Sequence, residues 1–160
     1  MSKISPCLWF NGEAEEAANF YVSLLPDSRI ENVARNTTDG PGGKSGSVLV
    51  VDFTVAGQRF MALNGGMKVD YTIAVSFKID CTDQAEVDRL WDALLANGGE
   101  ASRCGWLKDR YGVSWQIVPT DLPKYIGGPD KAGAARAMKA MLGMVKLDIA
   151  ALKKAYEGKA

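Results

Sequence analysis

Glu13-Ala14-Glu15-Glu16-Ala17-Ala18-Asn19-Phe20-Tyr21-Val22-Ser23-Leu24-Leu25 decides the fold, because its pattern recurs later in the chain. Ala14, Ala17, Tyr21, Leu24 and Leu25 fall three and four apart, acids fill the first turn, and Pro26 stops the run. That spacing predicts an amphipathic helix with favourable dipole chemistry. Seventy positions on, Glu16 lands on Glu86, Ala17 on Val87, Tyr21 on Trp91 and Leu24-Leu25 on Leu94-Leu95. A second helix is therefore predicted over Asp83 to Asn97, capped by Thr82 or Asp83 and stopped by Gly98-Gly99.

The flanks of the two helices also correspond. Ile4 to Phe10 reads as a strand ended by Asn11-Gly12, and Ser28 to Arg35 as a second strand. Residues 36–46 form a Gly-rich loop. Val48 to Val55 and Gln58 to Asn64 form a hairpin turned by Ala56-Gly57. In the second half, strands are predicted over Ile73 to Ile79, Glu100 to Arg103, Gly105 to Lys108 and Ser114 to Pro119. A shift of 55 lays Gly57 on Gly112, Phe60 on Trp115 and Met61 on Gln116. The reading is an α+β protein of two tandem βαβββ units, residues 1–66 and 71–120, in one domain. Each unit would expose an apolar sheet face if alone, so facing curved sheets with a pocket between them are expected.

Residues 121–160 fit neither unit. They hold eight Lys/Arg against four Asp/Glu, a net charge of +4 that leaves −4 on the first 120 residues. Met138, Met141, Leu142, Val145, Ile149, Leu152 and Tyr156 form an apolar helical stripe, broken near Gly143, with Asp148 as a second cap. This C-terminal helical extension is expected to dock on the sheet or on a second subunit, its lysines in water. Its methionines suit an adaptable packing surface.

Composition narrows the functions. The chain has 160 residues, 47% apolar and 24% charged, with 19 basic and 19 acidic residues. That is enough chain for a sizeable core, and a zero net charge calls for neither nucleic acid nor an anionic membrane. No His is present, so the commonest general base and metal ligand are missing. The three cysteines, Cys7, Cys81 and Cys104, make no CxxC pair. With no apolar signal-peptide core at the N-terminus, a cytoplasmic protein with reduced thiols is expected.

Several stretches resemble a known family. Ile4-Ser5-Pro6-Cys7-Leu8-Trp9-Phe10-Asn11-Gly12 and Ala17-Ala18-Asn19-Phe20-Tyr21 are similar to the start of PhnB-like proteins, as are Ala62-Leu63-Asn64-Gly65-Gly66 and Asp83 to Asp88. The most specific run is Cys104-Gly105-Trp106-Leu107-Lys108-Asp109-Arg110-Tyr111-Gly112-Val113-Ser114-Trp115-Gln116-Ile117-Val118-Pro119. Residues 140–150 also resemble the family's C-terminal segment. The resemblance implies the glyoxalase/bleomycin resistance (vicinal oxygen chelate) fold and a homodimer. Members often carry the label 3-demethylubiquinone-9 3-methyltransferase. The residues offer no Gly-rich turn after a first α/β strand, so the label has no support from a cofactor motif.

Metal-dependent relatives place His, Glu or Gln on the first and last strands of each unit. Here Gln116 is the one such residue, and its repeat mate is Met61, a poor ligand for a hard ion. No metal site and no cofactor are expected. The remaining candidates are pocket residues. Trp9 and Trp106 offer flat apolar rings, and Met61 is a further pocket candidate. Asn64, Ser76 and Gln116 offer hydrogen bonds, and Lys108 an anion anchor. Cys104, close in sequence to Lys108 and Arg110, is a candidate thiol, with small-residue packing as the competing reading. The leading expectation is a protein that binds an unknown small molecule, with no catalytic residue assigned. The alternatives are a metal-dependent lyase, isomerase or dioxygenase, and sequestration of a drug or toxin.

Overall fold

The predicted repeat forms two four-stranded mixed sheets, seen in a computed structural model that describes residues 2–160. The first unit holds β1 (Cys7–Phe10), α1 (Ala14–Val22), β2 (Arg29–Arg35), β3 (Val48–Val55) and β4 (Gln58–Asn64). The second holds β5 (Phe77–Cys81), α2 (Gln84–Leu95), β6 (Glu100–Ala101), β7 (Trp106–Lys108) and β8 (Ser114–Pro119). The extension adds α3 (Leu122–Ile126), α4 (Lys131–Leu142) and α5 (Ile149–Tyr156). The chain divides into two compact units, one ending at Asp70 and the other running from Tyr71 to Ala160.

The sheet orders are the same, β1-β4-β3-β2 and β5-β8-β7-β6. In each, the first strand runs parallel to the last and the other pairs are antiparallel. The helix between the first two strands makes that parallel return possible. Register supports the repeat residue by residue. Cys7 pairs with Met61, and Lys78 pairs with Gln116.

Each sheet buries one face against its helix. Ala14, Ala17, Ala18 and Tyr21 of α1 are buried, as are Val51, Phe53, Phe60 and Ala62 of the sheet. Tyr21 stacks on Phe53 at 6.1 Å and Phe53 on Phe60 at 5.4 Å. In the second unit Val87, Leu90, Trp91 and Leu94 of α2 are buried, with Ile79, Leu107, Trp115 and Ile117 of the sheet. Tyr21 and Trp91 are thus equivalent core residues, and each large apolar side chain contributes about 2 kcal/mol by burial. Asp83 caps α2, accepting from Glu86 N at 2.8 Å, while Thr82 N donates to Glu86 Oε2 at 2.8 Å. The Asp83 side chain thus caps the first turn while Glu86 reaches back to the residue before the cap.

Two expectations need correction. The strand predicted over Ile73 to Ile79 is Phe77–Cys81, four residues later at its start. Ile73 and Val75 alternate as strand residues do, yet they are 60% and 64% exposed and outside the ladder. The register is set by β8, whose Trp115 pairs with Phe77. The apolar stripe of the extension is also not uniformly docked. Ala137, Leu147 and Leu152 are buried, but Met138, Leu142 and Val145 are 37%, 57% and 48% exposed. Asp148 does cap α5, accepting from Ala151 N at 2.9 Å, and Gly143 follows α4. No helix among the described residues is long and apolar enough to cross a membrane.

Candidate functional site

The face of each sheet turned away from its helix carries the residues that are not core. On the second sheet, period-two alternation places Lys78, Asp80, Trp106, Gln116 and Val118 on that face. Lys78, Gln116 and Trp106 form one cross-strand row, since Gln116 pairs with both neighbours. Above these strands lies a cavity of about 550 Å³. Leu122, Pro123 and Ile126 from α3, and Met141 from α4, supply its other wall. Cys104 also lines it.

Local geometry fixes most of these groups. Gln116 Nε2 donates to Ser76 Oγ at 2.9 Å, which ties one end of the amide. Lys78 Nζ is 2.7 Å from Asp80 Oδ1, so the two charges at the cavity compensate each other. Cys104 and Gly105 both adopt left-handed backbone, φ 58° and 82°. A Cβ at Gly105 would sit 2.8 Å from Ile117 O, so only glycine fits there. Cys104 Sγ donates to Met141 O at 3.5 Å, and Cys104 N and Gly105 N donate to Met144 O and Val145 O at 2.9 and 2.8 Å. The loop before β7 is thereby stitched to the end of α4.

A second set of bonds holds the extension at α2. Gln84 Nε2 donates to Leu147 O at 3.1 Å and its Oε1 accepts from Ile149 N at 2.9 Å. Lys146 Nζ lies 2.8 Å from Asp88 Oδ1. The Lys146 ammonium, and after it the Gln84 amide, hold the Asp88 carboxyl below the usual carboxylate range.

Of the residues singled out from sequence, the structure brings Cys104, Trp106 and Gln116 together at the cavity, with Ser76 behind Gln116. Lys108 stands two residues from Trp106 on the same face, exposed and outside the cavity lining. Trp9, Met61 and Asn64 belong to the first unit. Met61 lies on the open face of its sheet between Cys7 and Asp52. Trp9 Nε1 donates to Met67 O at 2.9 Å, and its ring packs so closely on Gly65 that a Cβ there would lie 1.8 Å from Cζ2. Asn64 is 5% exposed and serves the backbone. Its Oδ1 accepts from Gly12 N and Ala14 N at 2.9 and 3.0 Å, and its Nδ2 donates to Val48 O at 3.0 Å. Asn64 therefore caps α1 from the far strand.

Sequence reasoning missed Lys78, Asp80, Val118 and the whole α3 wall. A shift of 71 from Cys7 to Lys78 would have found the first two. Nothing in the sequence places α3 over the sheet.

A divalent metal of the kind used by metal-dependent relatives does not fit these residues. The row through Gln116 continues into an ammonium on one side and an indole on the other. The equivalent row in the first unit offers Cys7, Met61 and Asp52, a mixture of soft and hard donors. Among the described residues no three His, Cys, Asp or Glu side chains are grouped to hold an ion.

The 3-demethylubiquinone-9 3-methyltransferase family matches residues 2–118. A solved PhnB protein from Bacillus cereus, itself described under that family name, is 36% identical with a TM-score of 0.66. The alignment covers 74% of this chain and 100% of that one, so about a quarter of this chain has no counterpart there. PA1353 from Pseudomonas aeruginosa is 22% identical, TM-score 0.61, covering 74% of this chain and 98% of that one. The fosfomycin resistance protein FosX of Listeria monocytogenes is 12% identical, TM-score 0.50, with 74% and 93% covered. These two likenesses are likenesses of fold. No curated protein matches. The family match stops before α3, so the extension lies outside it although residues 140–150 resemble the family by eye. The chain belongs to the PhnB-like, 3-demethylubiquinone-9 3-methyltransferase family, on the glyoxalase/bleomycin resistance fold.

Proposed function

We propose that this protein binds a small organic molecule on the open face of its second sheet. The observation that carries the reading is the cavity of about 550 Å³ in which an apolar wall meets a tryptophan and a tethered amide. Its size and its few convergent polar groups fall within the usual range of ligand sites. Binding without turnover, as in sequestration, agrees with the charges present. The carboxylate at the cavity, Asp80, is already paired with Lys78 at 2.7 Å and is not poised as a base. Methyl transfer is not carried over from the family name. The turn after β1 is Asn11-Gly12 in a βαβββ unit, not a dinucleotide-type glycine loop.

A screen of small-molecule mixtures against isotope-labelled protein tests the reading. The Trp106 indole N–H and the Gln116 side-chain amide should shift together. A screen in which no compound moves either signal removes the proposal.

We also infer a homodimer in a reducing, cytoplasmic setting. Met138 and Leu142, one turn apart on α4, and Val145 just beyond it are exposed apolar side chains, and Cys7, Cys81 and Cys104 are all free thiols. Sedimentation should show a dimer that Leu142→Glu dissociates. A monomeric parent protein at tens of micromolar overturns this.

A further inference from the structure

We propose that α3 and α4 choose the ligand, and that the ligand is a flat, uncharged, largely apolar molecule with one hydrogen-bonding group. The proposal rests on the binding reading above and sharpens it. The sheet contributes Trp106 and Gln116, residues inside the family match. Leu122, Ile126 and Met141, all beyond it, close the cavity over them. Ligand selection is thereby divided between residues inside the family match and residues beyond it.

The chemistry of the lining sets the class. An indole is a flat partner, and stacking or edge contact with it favours an aromatic ring. Leu122, Ile126 and Met141 give nothing to a polar or charged substituent, so burying one against them is unfavourable. Lys78 and Asp80 neutralise each other at 2.7 Å and leave no net charge to recruit an ion. Gln116 lines the cavity and is tied through its Nε2 to Ser76, which leaves the rest of the amide's hydrogen-bonding capacity for one polar group.

The wall is held in place, not loosely draped. Tyr125 of α3 packs edge-on to Tyr156 of α5 at 6.0 Å, and Tyr156 Oη accepts from Asp130 N at 3.1 Å. The end of α4 is stitched to the Cys104-Gly105 loop, and Gln84 holds the segment beyond it.

Two probes with one ring skeleton test the inference. N-phenyl-1-naphthylamine is uncharged with a single N–H, and 8-anilinonaphthalene-1-sulfonate adds a fixed charge. Fluorescence titration of the full chain should show the uncharged probe binding at least about tenfold tighter. Ile126→Glu and Met141→Glu should each weaken it by about tenfold or more. Met141→Gln keeps the length and changes only polarity, and should give a smaller loss. Ala135→Glu, exposed on the same helix, should stay within about twofold. Equal binding of the two probes overturns the ligand class. So does a neutral probe that fails to bind while other compounds shift Trp106. Wall variants that leave binding intact while Trp106→Ala abolishes it overturn the role of the extension and leave the binding reading standing. If no compound of any class moves Trp106, the binding reading itself falls.

Discussion

Asp109 shows how a single buried carboxylate can organise a strand pair. It is 2% exposed and accepts from Tyr111 N, Val113 N and Trp115 Nε1 at 2.8, 3.1 and 2.9 Å. The turn between β7 and β8 and the indole of the core are therefore tied to one side chain. Asp109→Ala should lower stability by about 3 kcal/mol, since three donors lose a charged acceptor. Chemical denaturation measures this, and a loss under about 1 kcal/mol would mean water takes over. Asn64→Ala strands Gly12 N and Ala14 N at the start of α1 and should cost about 2 kcal/mol by the same assay. Cys81 is fully buried, and desolvation, then the nearby Glu86 and Asp80 carboxylates, push its thiol from about 9 up to about 12. The unfolded thiol ionises near its ordinary value while the native one stays protonated. Stability linked to Cys81 is thus intact below pH 9 and declines as pH rises toward 12. Cys81→Ala should flatten that alkaline decline, whatever its effect on baseline stability.

At the scale of elements, the latch at α2 governs the extension. Gln84 spends both ends of its amide on Leu147 and Ile149, and Lys146 reaches Asp88. Gln84→Leu should speed amide exchange in α4 and α5 by about tenfold while leaving the sheets protected. Uniform acceleration everywhere would show that the extension and the sheet unfold as one. The two long helices, the β3–β4 hairpin and β8 were legible in the sequence, because apolar spacing and turn residues agreed there. The hairpin bounds Val48–Val55 and Gln58–Asn64 match residue for residue. The start of β5 was not legible, because Ile73 and Val75 carry a strand pattern that no neighbouring strand completes. At the site, Trp106, Cys104 and Gln116 were readable from repeat and family likeness. The backbone-capping role of Asn64 was not legible, because a buried amide that caps a helix from a distant strand leaves no local trace. The α3 wall was invisible for the same reason: its place depends on Tyr125, Tyr156 and Asp130 meeting across the extension.

For the whole molecule, the stretch joining the units is an exposed segment without secondary structure. Met67 and Val69 are 61% and 49% exposed, and residues 65–76 belong to no strand. Trypsin should cut first after Lys68, well before Lys78 in β5, as gel and mass analysis of a time course would show. Early cleavage within α2 would contradict this. The parallel closure of each sheet also orders synthesis in time. β1 cannot meet its partner until β4 has been translated, and β5 must wait for β8. The first unit can close while the second is still being made, but α3 and α4, which wall the cavity, are followed only by α5 in leaving the ribosome. The second sheet cannot close until β8 has cleared the exit tunnel, by which time the extension is already being synthesised. On the binding reading proposed above, capture of a ligand waits for the end of translation.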